Sequence, residues 1–248
     1  MTTQRKSKIK PEALGEGAVS LPLANLGLEE AIDSVSEALS EIDCKSVRVV
    51  VFEVDNLSWS VETPSPTLLK RGLDLHNLMT DLPLITVSAV GGTCLNCAVE
   101  FVLLCDLCFA TRDACFCIDE GFVPVFGGIQ RAVRTMGLSL AKKLFLMGKL
   151  TATEAAFSMV NRVFDSRDAM QDFIKDELVP SALSLSQTAQ SMTKRIIEAS
   201  WDMSLEAGLA LEREMFSHAF TTPDKAEGIK AFFEKRKPNF KRRECHEL

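Results

Sequence analysis

Apolar residues at Leu28, Ala31, Ile32, Val35, Ala38, Leu39 and Ile42 recur every three or four positions. This is the spacing of one buried helix face, and it predicts an amphipathic helix ending near Asp43. Before it, Ala18-Val19-Ser20-Leu21 reads as a short strand. After it, Ser46 to Glu53 is apolar and β-branched without alternation, as expected of a strand covered on both faces. A loop is expected from Val54 to about Thr67. Leu68, Leu69, Leu73, His76 and Met79 then predict a helix, and Leu84 to Val90 the next strand. Gly91-Gly92 ends that strand, Ala98 to Leu104 forms a further helix, and Leu107 to Ala110 a further strand. Such alternation of strand and helix predicts an α/β core with mostly parallel pairing.

The second half has another character. Leu138 to Met147 reads as a helix, and Thr151-Ala152-Thr153-Glu154 has the capping-box pattern expected to start another. From Ala169 onward the pattern is nearly all helical, with breaks expected at Pro180 and Pro223. The chain therefore divides into a disordered basic tail at 1–15, an α/β core at 16–180 and a helical carboxyl-terminal region at 181–248.

Composition narrows the function classes. With 248 residues, 46% hydrophobic and 25% charged, the chain can bury a sizeable core. A formal net charge of −6 argues against general nucleic-acid binding, which needs a dense basic surface. The basic runs, Arg5 to Lys10 and Lys235 to Arg243, read as solvated tails or faces. Cys94 to Ala110, the most apolar stretch, is short for a membrane span and is interrupted by Glu100 and Asp106. With no apolar leader at the amino terminus, a cytoplasmic location without membrane association is expected. The eight cysteines are then expected to be free thiols, the buried ones acting as small hydrophobes. Cys94-x-x-Cys97 and Cys105-x-x-Cys108 have the form of a zinc site, but the helix expected between them holds the pairs apart, and no metal is expected. The histidines, His76, His218 and His246, have no Ser/His/Asp context. Cys245-His246-Glu247-Leu248 places a cysteine where prenylation needs it, yet His and Glu stand where aliphatic residues belong.

The window from Leu84 to Asp165 carries a resemblance. Pro83-Leu84-Ile85-Thr86-Val87-Ser88-Ala89-Val90-Gly91-Gly92-Thr93-Cys94-Leu95-Asn96-Cys97-Ala98-Val99-Glu100, followed by Cys105-Asp106, resembles the strand, glycine-rich turn and Glu-bearing helix of the crotonase (enoyl-CoA hydratase/isomerase) superfamily. Ala110 to Glu120, Gly127-Gly128-Ile129-Gln130-Arg131, Val160-Asn161-Arg162-Val163 and the closing Glu227 to Phe240 match later family motifs in the same order. The resemblance covers most of 18–241. It implies a crotonase-like spiral of strand-strand-helix repeats with a helical carboxyl-terminal trimerisation region. It also implies a homotrimer or dimer of trimers.

The same resemblance implies chemistry. Members bind an acyl thioester, attached to CoA or a carrier protein, and need no cofactor beyond the CoA of the substrate. An oxyanion hole of backbone N–H groups stabilises a thioester enolate, helped by the dipole of a helix amino terminus. By position the donors are Cys97 and, from the loop after the Val47 to Phe52 strand, Val61. Two carboxylates serve as acid and base in family hydratases, and their positions are filled by Glu100 and Glu120. Leu23 and Ala24 correspond to backbone contacts with CoA, and Phe232 and Lys235 to contacts supplied by a neighbouring subunit. Enoyl hydration or dehydration is implied first. Isomerisation or decarboxylation in a biosynthetic, polyketide-type pathway, or a partner subunit that has lost chemistry, are the alternatives. Three departures bear on this: Asn96-Cys97-Ala98 replaces a glycine triplet, the segment after Glu120 is short, and the amino-terminal hairpin is truncated.

Overall fold

The structure, a computed structural model, describes residues 9–241. Arg5 to Lys8, Arg242-Arg243 and the carboxyl-terminal Cys245-His246-Glu247-Leu248 lie outside those residues. The chain opens with β1 (Glu12–Ala13), β2 (Ala18–Pro22) and α1 (Leu28–Glu41). A unit of two strands and a helix then repeats: β3 (Val49–Asp55), β4 (Ser58–Trp59) and α2 (Pro66–Asp81); β5 (Ile85–Gly91), β6 (Thr93–Asn96) and α3 (Cys97–Val102); β7 (Leu107–Thr111), β8 (Cys115–Cys117) and α4 (Gly128–Met147). The first strand of each unit joins a six-stranded sheet ordered β1-β2-β3-β5-β7-β10, the second a four-stranded sheet ordered β4-β6-β8-β9. β9 is Lys149–Thr151 and β10 is Arg162–Phe164. Each unit thus advances one strand along both sheets, which makes the path a spiral.

Pairing in the larger sheet is parallel from β2 to β10, with Val50 opposite Thr86 and Val87 opposite Leu107. β1 runs antiparallel to β2, Glu12 facing Ser20 and Ala13 facing Val19, so the end of the segment expected to be a disordered tail is a sheet edge instead. Alternate side chains of β3 enter two cores. Val50, Phe52 and Val54 pack into the large core beneath α1 and α2, whereas Val49 and Val51 join Phe109, Phe164, Met170 and Ile174 on the other face. Burial on both sides explains the unbroken apolar run in the sequence.

The helical stretch after the sheets holds α5 (Arg167–Phe173), α6 (Val179–Ser184), α7 (Gln187–Ala199), α8 (Leu205–Ala219) and α9 (Pro223–Glu234). Pro180 does not break it. A π-helical turn, Ile174–Leu178, runs directly into α6, and Pro180, which has no N–H to return to the preceding turn, follows that widened turn without ending the helix. Pro223 opens α9 directly after the extended Thr222, in the first turn, where no intrahelical N–H is required. The box at Thr151 also departs from expectation. Its hydrogen bonds form, with Glu154 accepting from the Thr151 N–H at 3.0 Å and hydroxyl at 2.9 Å, but turns follow where a helix was expected. The carboxylate closes a turn and also meets Lys143.

Candidate active site

The two sheets meet at the carboxyl ends of the parallel strands, where α/β folds place their ligands. β3 ends at Asp55 and the chain turns at Asn56 (φ 47°) into β4; β5 ends at Gly91 and turns at Gly92 (φ 66°) into β6. The Asn56 carboxamide oxygen accepts from the Thr93 N–H at 3.1 Å and occupies the space a Cβ on Gly92 would need. Ser58 and Trp59 then pair in parallel with Leu95 and Asn96. The turn that opens α3 and the loop that carries Val61 are therefore neighbours through a two-residue ladder.

Asn96 precedes α3 with φ 55° and ψ −120°, a conformation glycine adopts freely and other residues adopt at a cost of about 1–3 kcal/mol. Cys97 is the first residue of the helix, at a position whose N–H has no partner inside it. Its side chain is fully buried, with the thiol 3.4 Å from the Val123 carbonyl. Burial, followed by the nearby Glu100 charge, pushes that thiol up to about 12. Beneath the helix, Phe101 meets Phe52 and Trp59 edge-on at 5.0 and 5.4 Å, and the Trp59 indole donates to the Leu26 carbonyl at 2.9 Å. These contacts hold α3 rigidly against both sheets.

Glu100 is 1% exposed. Its Oε2 accepts from the N–H of Val125 at 2.8 Å and of Phe126 at 3.4 Å, and its Oε1 from the N–H of Gly128 at 2.6 Å. Three backbone donors thus fill three of the carboxylate's roughly four acceptor sites, and the Cys97 thiol interacts with it as well. Burial raises the carboxyl above its ordinary value, and the N–H groups of Val125, Gly128 and Phe126 oppose that rise. A Cβ on Gly128 would collide with the Glu100 side chain, so glycine is required at the start of α4.

The other expected site residues are placed as follows. Val61 is half-buried against the large core, directly after Ser60. Glu120 is exposed, whereas its neighbour Asp119 is bound to the turn: the Asn96 Nδ2 donates to Asp119 Oδ1 at 2.9 Å, and the Asp119 N–H donates to Asn96 Oδ1 at 3.0 Å. Leu23 is buried in the turn after β2, its N–H donating to the Glu53 carbonyl at 3.2 Å, and Ala24 is exposed. Phe232 is 79% exposed on α9 and Lys235 caps that helix in a left-handed conformation. Asn96, Asp119 and the 123–128 segment were not among the expected site residues. The signal for Asn96 was its place in the glycine triplet; Asp119 and Gly127-Gly128 fall within matched motifs, but nothing in those motifs pointed to their bonds with Asn96 and Glu100.

A cavity of about 690 Å³ lies at the opposite, amino-terminal ends of β5 and β7, between the core and α7. It includes none of Cys97, Glu100, Val61 or Glu120. Its half-buried ion pair is consumed structurally: Lys194 donates to Asp106 at 2.9 Å and to the Met79 and Leu84 carbonyls, and Asp106 also accepts from Thr86. Arg131 lies against His76 and over Trp201, within electrostatic reach of Glu100. Among the described residues no three His, Cys, Asp or Glu side chains converge in a way that could hold a metal ion. Cys94, Cys97, Cys105, Cys108, Cys115 and Cys117 are free thiols.

The family model described as enoyl-CoA hydratase/isomerase matches residues 61–243. The chain belongs to the enoyl-CoA hydratase/isomerase family. Similar proteins include the 2,3-dehydroadipyl-CoA hydratase of Escherichia coli strain K12, 37% identical over 162 residues, which are 63% of this chain and 63% of that protein. The mitochondrial enoyl-CoA hydratase of Pongo abelii is 32% identical over 194 residues, 76% of this chain and 64% of that protein. The matches therefore span less than two thirds of these relatives' length. Among solved structures, an enoyl-CoA hydratase from Mycobacterium smegmatis superposes with a TM-score of 0.81 at 24% identity, covering 94% of this chain and 99% of that one. Its likeness establishes the same fold, as does that of the enoyl-CoA hydratase from Bacillus anthracis, with a TM-score of 0.80 at 21% identity over 95% of this chain and 99% of that one. Within the described residues no helix is long and apolar enough to cross a membrane.

Proposed function

We propose that this hydratase/isomerase family member acts on an enoyl thioester through an enolate, adding or removing water across the double bond. The backbone N–H groups of Cys97 and Val61 would take the thioester oxygen as charge builds on it, and Glu100 would move the proton. What carries this reading is the junction of β6 and α3. There a helix opens at the carboxyl end of the sheet, and a buried carboxyl with a raised pKa stands one turn further on. A raised pKa keeps a carboxyl able to hold a proton nearer neutrality.

Hydration by two carboxylates also needs Glu120, which is exposed and would have to turn inward. Isomerisation, which one carboxyl can perform by carrying a proton between two carbons of the acyl chain, makes no such demand. A second reading, a family subunit without chemistry, is favoured by the three backbone donors that hold Glu100 and the burial of Cys97. In both, the thioester is carried by CoA or a carrier protein, with Leu23 and Ala24 against the CoA and no further cofactor. Exposed apolar side chains on α8 and α9, among them Leu205, Phe216, Phe232 and Phe233, suit a homotrimer or dimer of trimers in the cytoplasm. Phe232 and Lys235 would then meet a neighbour's CoA.

The test is turnover of crotonyl-CoA and of a 3-enoyl-CoA, with Glu100→Gln and Glu120→Gln variants alongside. Hydration lost in both variants supports the two-carboxylate mechanism; isomerisation lost only in Glu100→Gln supports the single-carboxyl one. A wild-type protein that binds CoA thioesters and converts none of them leaves the partner-subunit reading.

A further inference from the structure

Both donors of the proposed oxyanion hole lie next to residues held by one side chain. Asn96, fully buried and adjacent to Cys97, donates from Nδ2 to the Ser60 hydroxyl at 2.9 Å, and Ser60 is adjacent to Val61. The same Nδ2 donates to Asp119 Oδ1 at 2.9 Å, and Asn96 Oδ1 accepts the Asp119 N–H at 3.0 Å. Asp119 Oδ1 in turn accepts the Gly121 N–H at 2.9 Å, which closes the start of the Glu120 loop. Every polar atom of this carboxamide is therefore used, and it joins three segments that are distant in sequence.

We propose that Asn96 is a positioning residue, a clamp that sets the spacing of the Cys97 and Val61 amides and ties the Glu120 loop to them. Glycine at this position would supply the same backbone conformation without strain, but it could not make these bonds. Asparagine tolerates positive φ better than other side chains and can make them. The strained conformation at Asn96 is held by bonds on both sides of the turn, as expected where geometry rather than stability is being maintained. An oxyanion hole depends on such spacing, because its donors must already point where charge will develop.

This inference rests on the proposed enolate chemistry for its catalytic consequence, but not for its structural one. The experiment compares wild type with Asn96→Gly, which keeps the backbone conformation and deletes the carboxamide. Amide hydrogen exchange is followed over 58–62 and 118–121, together with kcat and KM for crotonyl-CoA and enolate absorbance of bound acetoacetyl-CoA. In Asn96→Gly, exchange in both segments is expected to accelerate about tenfold, kcat to fall about tenfold with KM within about threefold, and the enolate band to weaken. Asp119→Ala, which removes an acceptor, should loosen 118–121 likewise, and Asp119→Asn, which keeps an oxygen there, should not. Unchanged exchange in Asn96→Gly overturns the clamp, whatever the activity. Faster exchange with unchanged kcat and enolate band overturns its positioning role. If wild type converts no thioester, the enolate reading falls, and the exchange comparison still decides the clamp.

Discussion

Replacing Glu100 with glutamine tests how far one side chain holds the site together. The carboxylate accepts on both sides, from Gly128 at one oxygen and from Val125 and Phe126 at the other. An amide has one oxygen, so whichever way the introduced side chain turned, its NH₂ would face a backbone N–H. The lost charge-assisted bond is worth about 1.5–3 kcal/mol, and the buried donor left without a partner brings the expected destabilisation to about 3 kcal/mol. A domain of ordinary stability survives that loss. The sign of its pH dependence follows from the raised pKa. A carboxyl whose folded value exceeds 4.5 contributes stability that is full below 4.5 and is lost as pH rises through the folded value. Glutamine does not titrate, so the gap between wild type and Glu100→Gln should be wider at about pH 4.5 than at about pH 8. Urea unfolding at both values measures it. A gap that widens toward the alkaline end would mean that the backbone donors outweigh burial, and would refute the assignment of Glu100 as a carboxyl poised to hold a proton.

Three further outcomes are expected. Gly128→Ala should cost about 1–3 kcal/mol by thermal or urea unfolding and perturb the same carboxylate, because the new methyl collides with the Glu100 side chain. Lys194→Met should destabilise by about 3 kcal/mol, the low end for breaking a mostly buried pair, since it strands Asp106 and two carbonyls; adding Asp106→Asn should recover part of the loss in urea titrations. His76, driven down to about 4 by burial and then by Arg131, should stay neutral to that pH by NMR titration. A depressed histidine makes the folded state less stable as pH falls from 6.5 toward 4, and His76→Gln should flatten that part of the stability profile.

Long periodic elements were legible in the sequence. α1 follows its apolar spacing, and β3 its β-branched run, within a few residues. The second sheet was not, because β4, β6, β8 and β9 have two to four residues each, too few for any period to register. Glu100 and Cys97 could be found because motif positions name them. The saturation of Glu100 could not, since its partners are backbone N–H groups about 25 positions onward, and every residue type but proline carries one. Asn96 was visible only as a departure from glycine; its two partners, Ser60 and Asp119, come from loops whose conformations no propensity fixes. The box at Thr151 failed as a helix start because the same bonds can close a turn.

The π-helical turn at Ile174–Leu178 holds one residue more than α-helical winding would use. Each residue of an α-helix turns the chain by about 100°, so the surplus shifts the phase of everything after it. Here the shift lets Met170 before it, Ile174 at its start, and Val179 and Ala182 after it face the same side of the sheet. Deleting one residue from this turn would shorten the chain trivially yet swing α6 away from its seat, so this stretch should accept substitutions far more readily than changes of length.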